Sequence, residues 1–94
     1  MPYMLSRVTF EDFATWKAVF DKGGTIRKAY GSKGVRVFRT VGKPNEAVVI
    51  GEYDDIEKAR QMFQAQEFRE ATQRAGLLAP PDVTFLDEVD QLPA

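Results

Sequence analysis

Residues 45–76 hold a buried strand, an acidic turn and the longest helical pattern of the chain, in that order. The first part, 46–53, reads EAVVIGEY, and its β-branched and aromatic residues favour a strand. Apolar residues then recur at helical spacing over 55–75, with polar residues between them. A strand that leads within two residues into an amphipathic helix indicates a fold in which helices pack on a sheet.

Both ends of the 55–75 helix carry sequence signals. Asp54 is the expected N-cap, and Glu57, three residues later, would complete a capping box. Gly76 stands where a residue in the left-handed conformation would close the helix. The apolar positions slip along the helix, so we expect a bend or a break at 65–66.

The rest of the chain adds three strands and a first helical region. Thr9 is a possible cap for the first helix, Gly23-Gly24 breaks that helix, and Thr25 can cap a second short piece. The predicted elements are a strand over 2–10, a helix over 11–22, a helical piece over 25–30, strands over 34–41 and 46–53, the helix over 55–75 and a last strand over 82–89.

The strands over 34–41 and 46–53 are separated by Gly-Lys-Pro-Asn, a turn by composition, and therefore form a hairpin. A four-residue loop places Val41 opposite Glu46. In this register Val35, Val37 and Arg39 share a face with Val48, Ile50 and Glu52, and a slip of one residue would reverse the assignment.

The order strand, helix, strand, strand, helix, strand predicts an α+β domain of the ferredoxin-like βαββαβ type over residues 1–94. In this fold two helices cover one face of a four-stranded antiparallel sheet. Both faces of the hairpin carry apolar side chains, and an apolar face left open to water usually marks an interaction surface. We therefore expect a homodimer that packs sheet on sheet into an α+β barrel.

The composition excludes several kinds of site. The chain has no Cys and no His, which excludes disulfides, thiolate nucleophiles, imidazole bases and the commonest zinc and haem ligands. We expect no metal and no cofactor. No apolar run approaches the length of a membrane span, and no signal peptide is recognisable, so the expected location is the cytoplasm.

Basic residues are concentrated in one segment. Residues 17–43 contain eight basic residues and one acid, Asp21, a balance of +7. Two solvated faces of different charge are one interpretation, and a basic rim that steers an anionic ligand is the other. RNA-recognition domains share the βαββαβ topology, but the third strand lacks their stacking aromatics and the pI is about 5.4, so we expect no nucleic-acid partner.

Several runs together resemble a known superfamily: DFATWKAVFD, GVRVFRT, NEAVVIGEYDD and PPDVTFLDEV. They are similar to the dimeric α+β barrel proteins, and more narrowly to small stand-alone members related to antibiotic biosynthesis monooxygenases and polyketide-cyclase-like proteins. The resemblance implies a homodimer with a pocket between sheet and helices in each subunit. It also implies an aromatic or polyketide-like ligand and, as in several such proteins, action without metal or flavin.

The chain departs from these relatives where some of them carry histidine, since Val8 and Gly23 stand at those places. A histidine-based cyclase or haem-degrading role is therefore not carried over. Trp16 lies in the first helix and Asn45 in a turn, so the tryptophan-and-asparagine oxygenase arrangement is not clearly matched either.

Candidate site residues follow from side-chain chemistry. Glu52 and Tyr53, at the end of a strand, are the candidates for proton transfer. An arginine can hold a carboxylate or phenolate, and an aromatic side chain can stack on a ligand. The candidate ligand-binding residues are Tyr3, Arg7, Trp16, Arg36, Phe38 and Thr40. For each of them a structural role is the alternative, such as core packing for Trp16 or a surface ion pair for Arg36.

The sequence thus predicts a homodimeric barrel that binds a small apolar or aromatic molecule, with cofactor-independent monooxygenase, cyclase or isomerase activity as one hypothesis. A non-catalytic dimerisation or ligand-sensing module is the other. Whether the chain is an enzyme stays open at this point.

Overall fold

A computed structural model describes residues 2–94 and has the predicted α+β architecture. Four antiparallel strands form one sheet in the order β2-β3-β1-β4, which is the ferredoxin-like arrangement. Each of the two helical regions consists of two helices. The elements are β1 (Pro2–Thr9), α1 (Phe13–Lys22), α2 (Gly24–Ala29), β2 (Ser32–Arg39), β3 (Glu46–Tyr53), α3 (Ile56–Gln64), α4 (Gln66–Arg74) and β4 (Asp82–Asp87).

The first helical region is split at the glycine pair, as predicted, but its caps differ from the prediction. Asp12 caps α1, because its Oδ2 accepts hydrogen bonds from the Thr15 amide at 2.9 Å and the Thr15 hydroxyl at 2.8 Å. These hydrogen bonds lower the pKa of Asp12. The expected cap, Thr9, belongs to β1, and Thr25 already lies inside α2, so both cap predictions were wrong.

The second helical region breaks where the apolar stripe slips. Ala65 has an extended backbone (φ −69°, ψ 140°) and separates α3 from α4. Gly76 has φ 73° and follows the end of α4, as predicted. The cap of α3 is Asp55, whose Oδ1 accepts a hydrogen bond from the Glu57 amide at 3.0 Å. The prediction of Asp54 was wrong, because that carboxylate instead faces Lys33 Nζ at 3.4 Å.

The hairpin register differs by one residue from the prediction. Val37 pairs with Val49 and Phe38 with Val48. Relative to β3, each side chain of β2 therefore lies on the face of the sheet opposite to the one predicted. The loop is one residue longer than expected, because the chain already turns after Thr40, whose amide donates to the Glu46 carbonyl at 3.2 Å. Val41 is 99% exposed and takes no part in the sheet. Within this five-residue loop Gly42 has φ 81°, a conformation that glycine adopts without the strain of a side chain.

The corrected register sorts the sheet into two faces. On the face beneath the helices, small and apolar side chains of β1 and β3 are buried against α1 and α3. The core consists of Met4, Val8, Phe10, Trp16, Ala47, Val49, Tyr53, Ala59, Met62 and Ala75. Trp16 lies in an aromatic stack, with ring centroids 5.2 Å from Phe10 and 5.0 Å from Phe20. This stack joins α1 to the end of β1.

The other face, called the open face below, is formed by the alternate residues of the same strands: Tyr3, Leu5, Arg7, Arg36, Phe38, Val48, Ile50, Glu52, Thr84 and Leu86. Within residues 2–94 the helices pack on the opposite side, and most of these side chains are half-buried or exposed. None of the helices in the described part of the chain is long and apolar enough to cross a membrane.

The two neighbouring aspartates provide a test of the cap assignment. We expect Asp55→Ala to lower the free energy of unfolding by about 1 kcal/mol, because a helix amide loses its acceptor. Asp54→Ala should cost less than about 0.5 kcal/mol, because it removes only an exposed ion pair. Urea denaturation of both variants measures the difference. Equal losses, or a larger loss for Asp54→Ala, would contradict the assignment.

Candidate functional site

A cavity of about 80 Å³ lies between the sheet and the helices. Its walls come from β1, β3 and all four helices, and most of the side chains are apolar. A wider recess of about 210 Å³ adjoins the cavity between α4 and β4, and Phe63, Phe68, Thr72 and Pro81 line both. The cavity alone is smaller than the few hundred Å³ usual for a ligand site, so a bound molecule would extend into the recess.

Aromatic side chains form one wall of the cavity. Trp16 and Phe20 line it. The Phe10 ring, which is not part of the lining, stacks on the Trp16 ring with the two centroids 5.2 Å apart. Where the cavity adjoins the recess, Phe63 meets Phe68 edge-to-face at 4.8 Å across the break between α3 and α4. Such a wall favours a flat, apolar ligand, because aromatic rings bury large areas and stack on one another.

The polar groups at the cavity are few. Tyr53 is 1% exposed, and its hydroxyl donates to the Met62 sulfur at 3.6 Å, which is a weak acceptor. Gly51 makes room for the Tyr53 ring, because a Cβ there would lie 3.2 Å from Cε1 of the ring. Burial raises the pKa of Tyr53, although Arg27 acts in the opposite direction. Tyr53 is therefore a neutral phenol at physiological pH and can donate a hydrogen bond to a ligand.

Ser6, Thr72 and Arg27 are the other polar residues that line the cavity. The lining in the described chain contains no carboxylate, and the sequence contains no imidazole. Residues 2–94 contain no group of three or more metal-ligating side chains. The site can therefore bind and orient a ligand and donate hydrogen bonds to it, and Tyr53 and Arg27 are the titratable side chains in its lining.

The sequence-predicted site residues fall into two sets on opposite sides of the sheet. Trp16 and Tyr53 line the cavity. The others lie on the open face or, for Thr40, at the hairpin end of β2, because alternate residues of a strand point to opposite faces. This second set comprises Tyr3, Arg7, Arg36, Phe38, Thr40 and Glu52.

Contacts within the second set are local. Tyr3 and Glu52 are opposite each other on β1 and β3, and the charges of Glu52 and then Glu88 raise the pKa of Tyr3. Arg7 Nε lies 4.0 Å from Glu46 Oε2, and the Arg36 guanidinium carbon lies 5.4 Å from the centre of the Phe38 ring. The structure thus brings these residues to the face where we expect a second subunit, and does not bring them to the cavity.

Arg27 is the cavity residue that sequence reasoning missed. It lies one turn after the glycine pair, in a short helix whose stripe is too brief to show which positions face inward. The half-buried guanidinium donates from Nη1 to the Phe20 carbonyl at 2.8 Å. The one feature of the sequence that could have indicated Arg27 is its position just after Gly23-Gly24, inside the basic segment.

Comparison with known proteins gives matches among solved structures. No protein-family model matches the chain, and no curated protein sequence matches it. SnoaB, a cofactor-independent oxygenase from Streptomyces nogalater, superposes with a TM-score of 0.79 at 18% identity, over 99% of this chain and 97% of SnoaB. A protein from Bordetella bronchiseptica, provisionally named an antibiotic biosynthesis monooxygenase, also gives 0.79 at 16% identity, over 94% and 96% of the two chains. Rv0793 from Mycobacterium tuberculosis gives 0.72 at 16% identity, over 96% of each chain.

The chain has the fold of the antibiotic biosynthesis monooxygenases. The resemblance seen in the sequence is thereby confirmed at the level of fold, over nearly the whole length of both chains. At 16–18% identity the likeness concerns the backbone arrangement and does not extend to activity.

The pKa of Tyr53 provides a test of its burial. A raised pKa means that the folded state keeps the phenolic proton to higher pH than the unfolded state does. The burial of the neutral phenol therefore stabilises the protein fully at pH values below the unfolded-state pKa of about 10. This stabilisation is lost as the pH rises through the folded-state pKa. We expect the wild-type free energy of unfolding to fall more between about pH 9 and about pH 11 than that of Tyr53→Phe. Chemical denaturation measures both, and equal declines would show that Tyr53 is not buried.

Proposed function

We propose that this protein binds a small, largely apolar, aromatic or polyketide-like molecule in the cavity and acts on it as a cofactor-independent monooxygenase. One observation carries the proposal. An aromatic wall and a buried phenol line the same cavity, inside the fold that the chain shares with a cofactor-independent oxygenase. The apolar wall suits an aromatic ligand, and the phenol suits a ligand carbonyl oxygen.

Access requires the cavity to widen, and α4 is the element best suited to move. No residue of α4 is fully buried, whereas α3 buries Ala59 and Met62. The extended residue Ala65 separates the two helices and can serve as a hinge. Movement of α4 would join the cavity to the recess beside β4 and give the ligand sufficient volume.

The chemistry assigned to the chain is binding, orientation and hydrogen-bond donation. Because no carboxylate lines the cavity in the described chain, a suitable substrate has a CH₂ group made acidic by an adjoining carbonyl and aromatic ring, so that it ionises with little help from a general base. In the reaction, one atom of O₂ enters the substrate as that CH₂ becomes C=O, and the other atom leaves as water with the two hydrogens of the CH₂ group. Tyr53 stabilises the negative charge that develops on the neighbouring oxygen by donating its hydroxyl proton in a hydrogen bond.

A homodimer through the open face forms part of the proposal. Leu5, Val48, Ile50 and Phe38 make this face apolar, while Arg7 and Glu46 place opposite charges beside it. A second copy that packs sheet on sheet would bury the apolar side chains and close the barrel. Tyr3, Arg36 and Glu52 would then lie between the subunits.

A non-catalytic ligand-sensing module is the second candidate. Two observations favour it: the cavity is only about 80 Å³, and no carboxylate lines it in the described chain. A module of this kind would bind the same class of ligand without consuming O₂.

An oxygen-uptake assay distinguishes the two candidates. Aromatic ketones with an activated CH₂ group beside the carbonyl serve as substrates, and labelled O₂ shows whether one oxygen atom enters the product. We expect turnover by the wild type, and a fall in kcat of about 100-fold in Tyr53→Phe, because one donor to the developing anion is lost.

Tyr30→Phe is the matched control for the assay. The Tyr30 hydroxyl donates to Glu67 Oε1 at 3.3 Å, and Tyr30 is not among the cavity-lining residues. This variant should keep wild-type turnover. Ligand binding without O₂ uptake would support the sensing module, and full activity in Tyr53→Phe would remove Tyr53 from the mechanism.

The oligomeric state tests the open face. We expect light scattering after size exclusion to give a stable dimer over a range of dilutions, and Ile50→Lys to shift it to monomer by placing a charge in the middle of the interface. Val41→Lys, in the hairpin loop and 99% exposed, is the control and should stay dimeric. A wild-type monomer at all dilutions would rule out the barrel.

A further inference from the structure

Arg27 carries a positive charge at the cavity without a carboxylate partner. We propose that the ligand bears a negatively charged oxygen at one end, as in an aromatic carboxylate or a phenolate, and that Arg27 binds it. The inference rests on the proposed ligand binding in the cavity and adds the chemical class of the ligand and the residue that selects it.

The partial burial of this charge requires an explanation. Desolvation is the main influence on Arg27 and lowers its pKa, while Tyr53 and then Asp21 act in the opposite direction. A half-buried charge gains from a partner of opposite charge, because even partial removal from water is costly. In residues 2–94 no carboxylate lies within 4.0 Å of Arg27, and the Asp21 carboxylate instead accepts a hydrogen bond from Lys17 Nζ at 2.6 Å. A ligand anion would supply the missing partner.

The guanidinium group is held in a fixed position. Its carbon lies 4.0 Å from the centre of the Phe20 ring, and its Nη1 donates to the Phe20 carbonyl at 2.8 Å. This uses one of its five N–H donors, and arginine binds oxygen anions best with two parallel donors. An arginine held by backbone and ring loses little further freedom when a ligand arrives.

Gly23, the first residue of the glycine pair, makes space for this group. A Cβ on Gly23 would crowd Arg27 Nη1 at 3.2 Å, whereas a Cβ on Gly24 would be in ordinary contact with Nη2 at 3.6 Å. The motif that the sequence indicated as a helix break therefore also lets the guanidinium lie close to the backbone at the edge of the cavity.

Arg39 shows what a purely structural arginine looks like in this fold. Its guanidinium carbon also lies 4.0 Å from a phenylalanine ring, that of Phe13, and its Nη2 donates to the Pro44 carbonyl at 3.1 Å. Arg39, however, is exposed and is not among the residues that line the cavity. The two arginines therefore differ mainly in burial and in their position relative to the cavity, which makes Arg39 the matched control.

The other cavity groups complete the description of the ligand. Its apolar part would lie against Trp16, and its anionic end would reach Arg27, with the Tyr53 hydroxyl as a second donor. Tyr53 and Arg27 are close enough for each to act on the pKa of the other. The basic segment over 17–43, with its balance of +7, would attract such an anion from solution.

The test compares 3-phenylpropanoate with its neutral amide, 3-phenylpropanamide, which has nearly the same shape. Each is titrated into the full chain, and the fluorescence of Trp16, the single tryptophan, reports occupancy of the cavity. We expect the wild type to bind the carboxylate about 10- to 100-fold more tightly than the amide. In Arg27→Met the preference should disappear, with the amide affinity changed by less than about twofold, while Arg39→Met keeps the preference.

Arg27→Gln guards against loss of the fold in Arg27→Met, because a glutamine keeps a polar side chain at this half-buried position while it removes the charge. A carboxylate preference that survives in either folded Arg27 variant would overturn the inference and leave ligand binding intact. Equal binding of both compounds by the wild type would also overturn the inference and leave ligand binding intact. Titrations in which neither compound alters Trp16 fluorescence would contradict both the inference and the proposed function.

Discussion

The alternation of β3 is the constraint on which the rest of the structure depends. Ala47, Val49, Gly51 and Tyr53 face the helices, and the residues between them face the other way. Three small or medium side chains leave space over the sheet, and the large Tyr53 ring fills one end of it because Gly51 has no Cβ. The cavity is the remainder of that space, and its position therefore follows from side-chain size along one strand.

The two helix breaks determine what surrounds the cavity. Gly23 ends α1 below the aromatic stack and lets Arg27 return toward Phe20, whose carbonyl and ring hold the guanidinium. Ala65 separates α3, which is anchored in the core by Met62, from α4, which has no buried residue. One side of the cavity is thus fixed and the other is held weakly, an arrangement that suits a site that must admit a ligand.

The electrostatics of the cavity and of the open face differ in kind. At the cavity, desolvation is the largest influence on the pKa of both Tyr53 and Arg27, so a ligand anion there would interact strongly with the guanidinium. On the open face the charge of Glu52, and then that of Glu88, is the main influence on the pKa of Tyr3, at an exposed site where such effects are weak. A role in ligand chemistry is therefore better supported for the groups beneath the helices.

The sequence by itself determined the element order, the antiparallel sheet, the break near Ala65 and the left-handed Gly76, because these depend on local composition and periodicity. Only the tertiary structure decided the hairpin register, since one additional loop residue at Val41 reverses every side chain of β2. It likewise decided which face of the hairpin lines the cavity, and so put Tyr53 at the cavity and Glu52 on the open face. Arg27 reached the cavity through a turn of the backbone at Gly23 and a contact with Phe20, and no periodicity in the chain encodes such a contact.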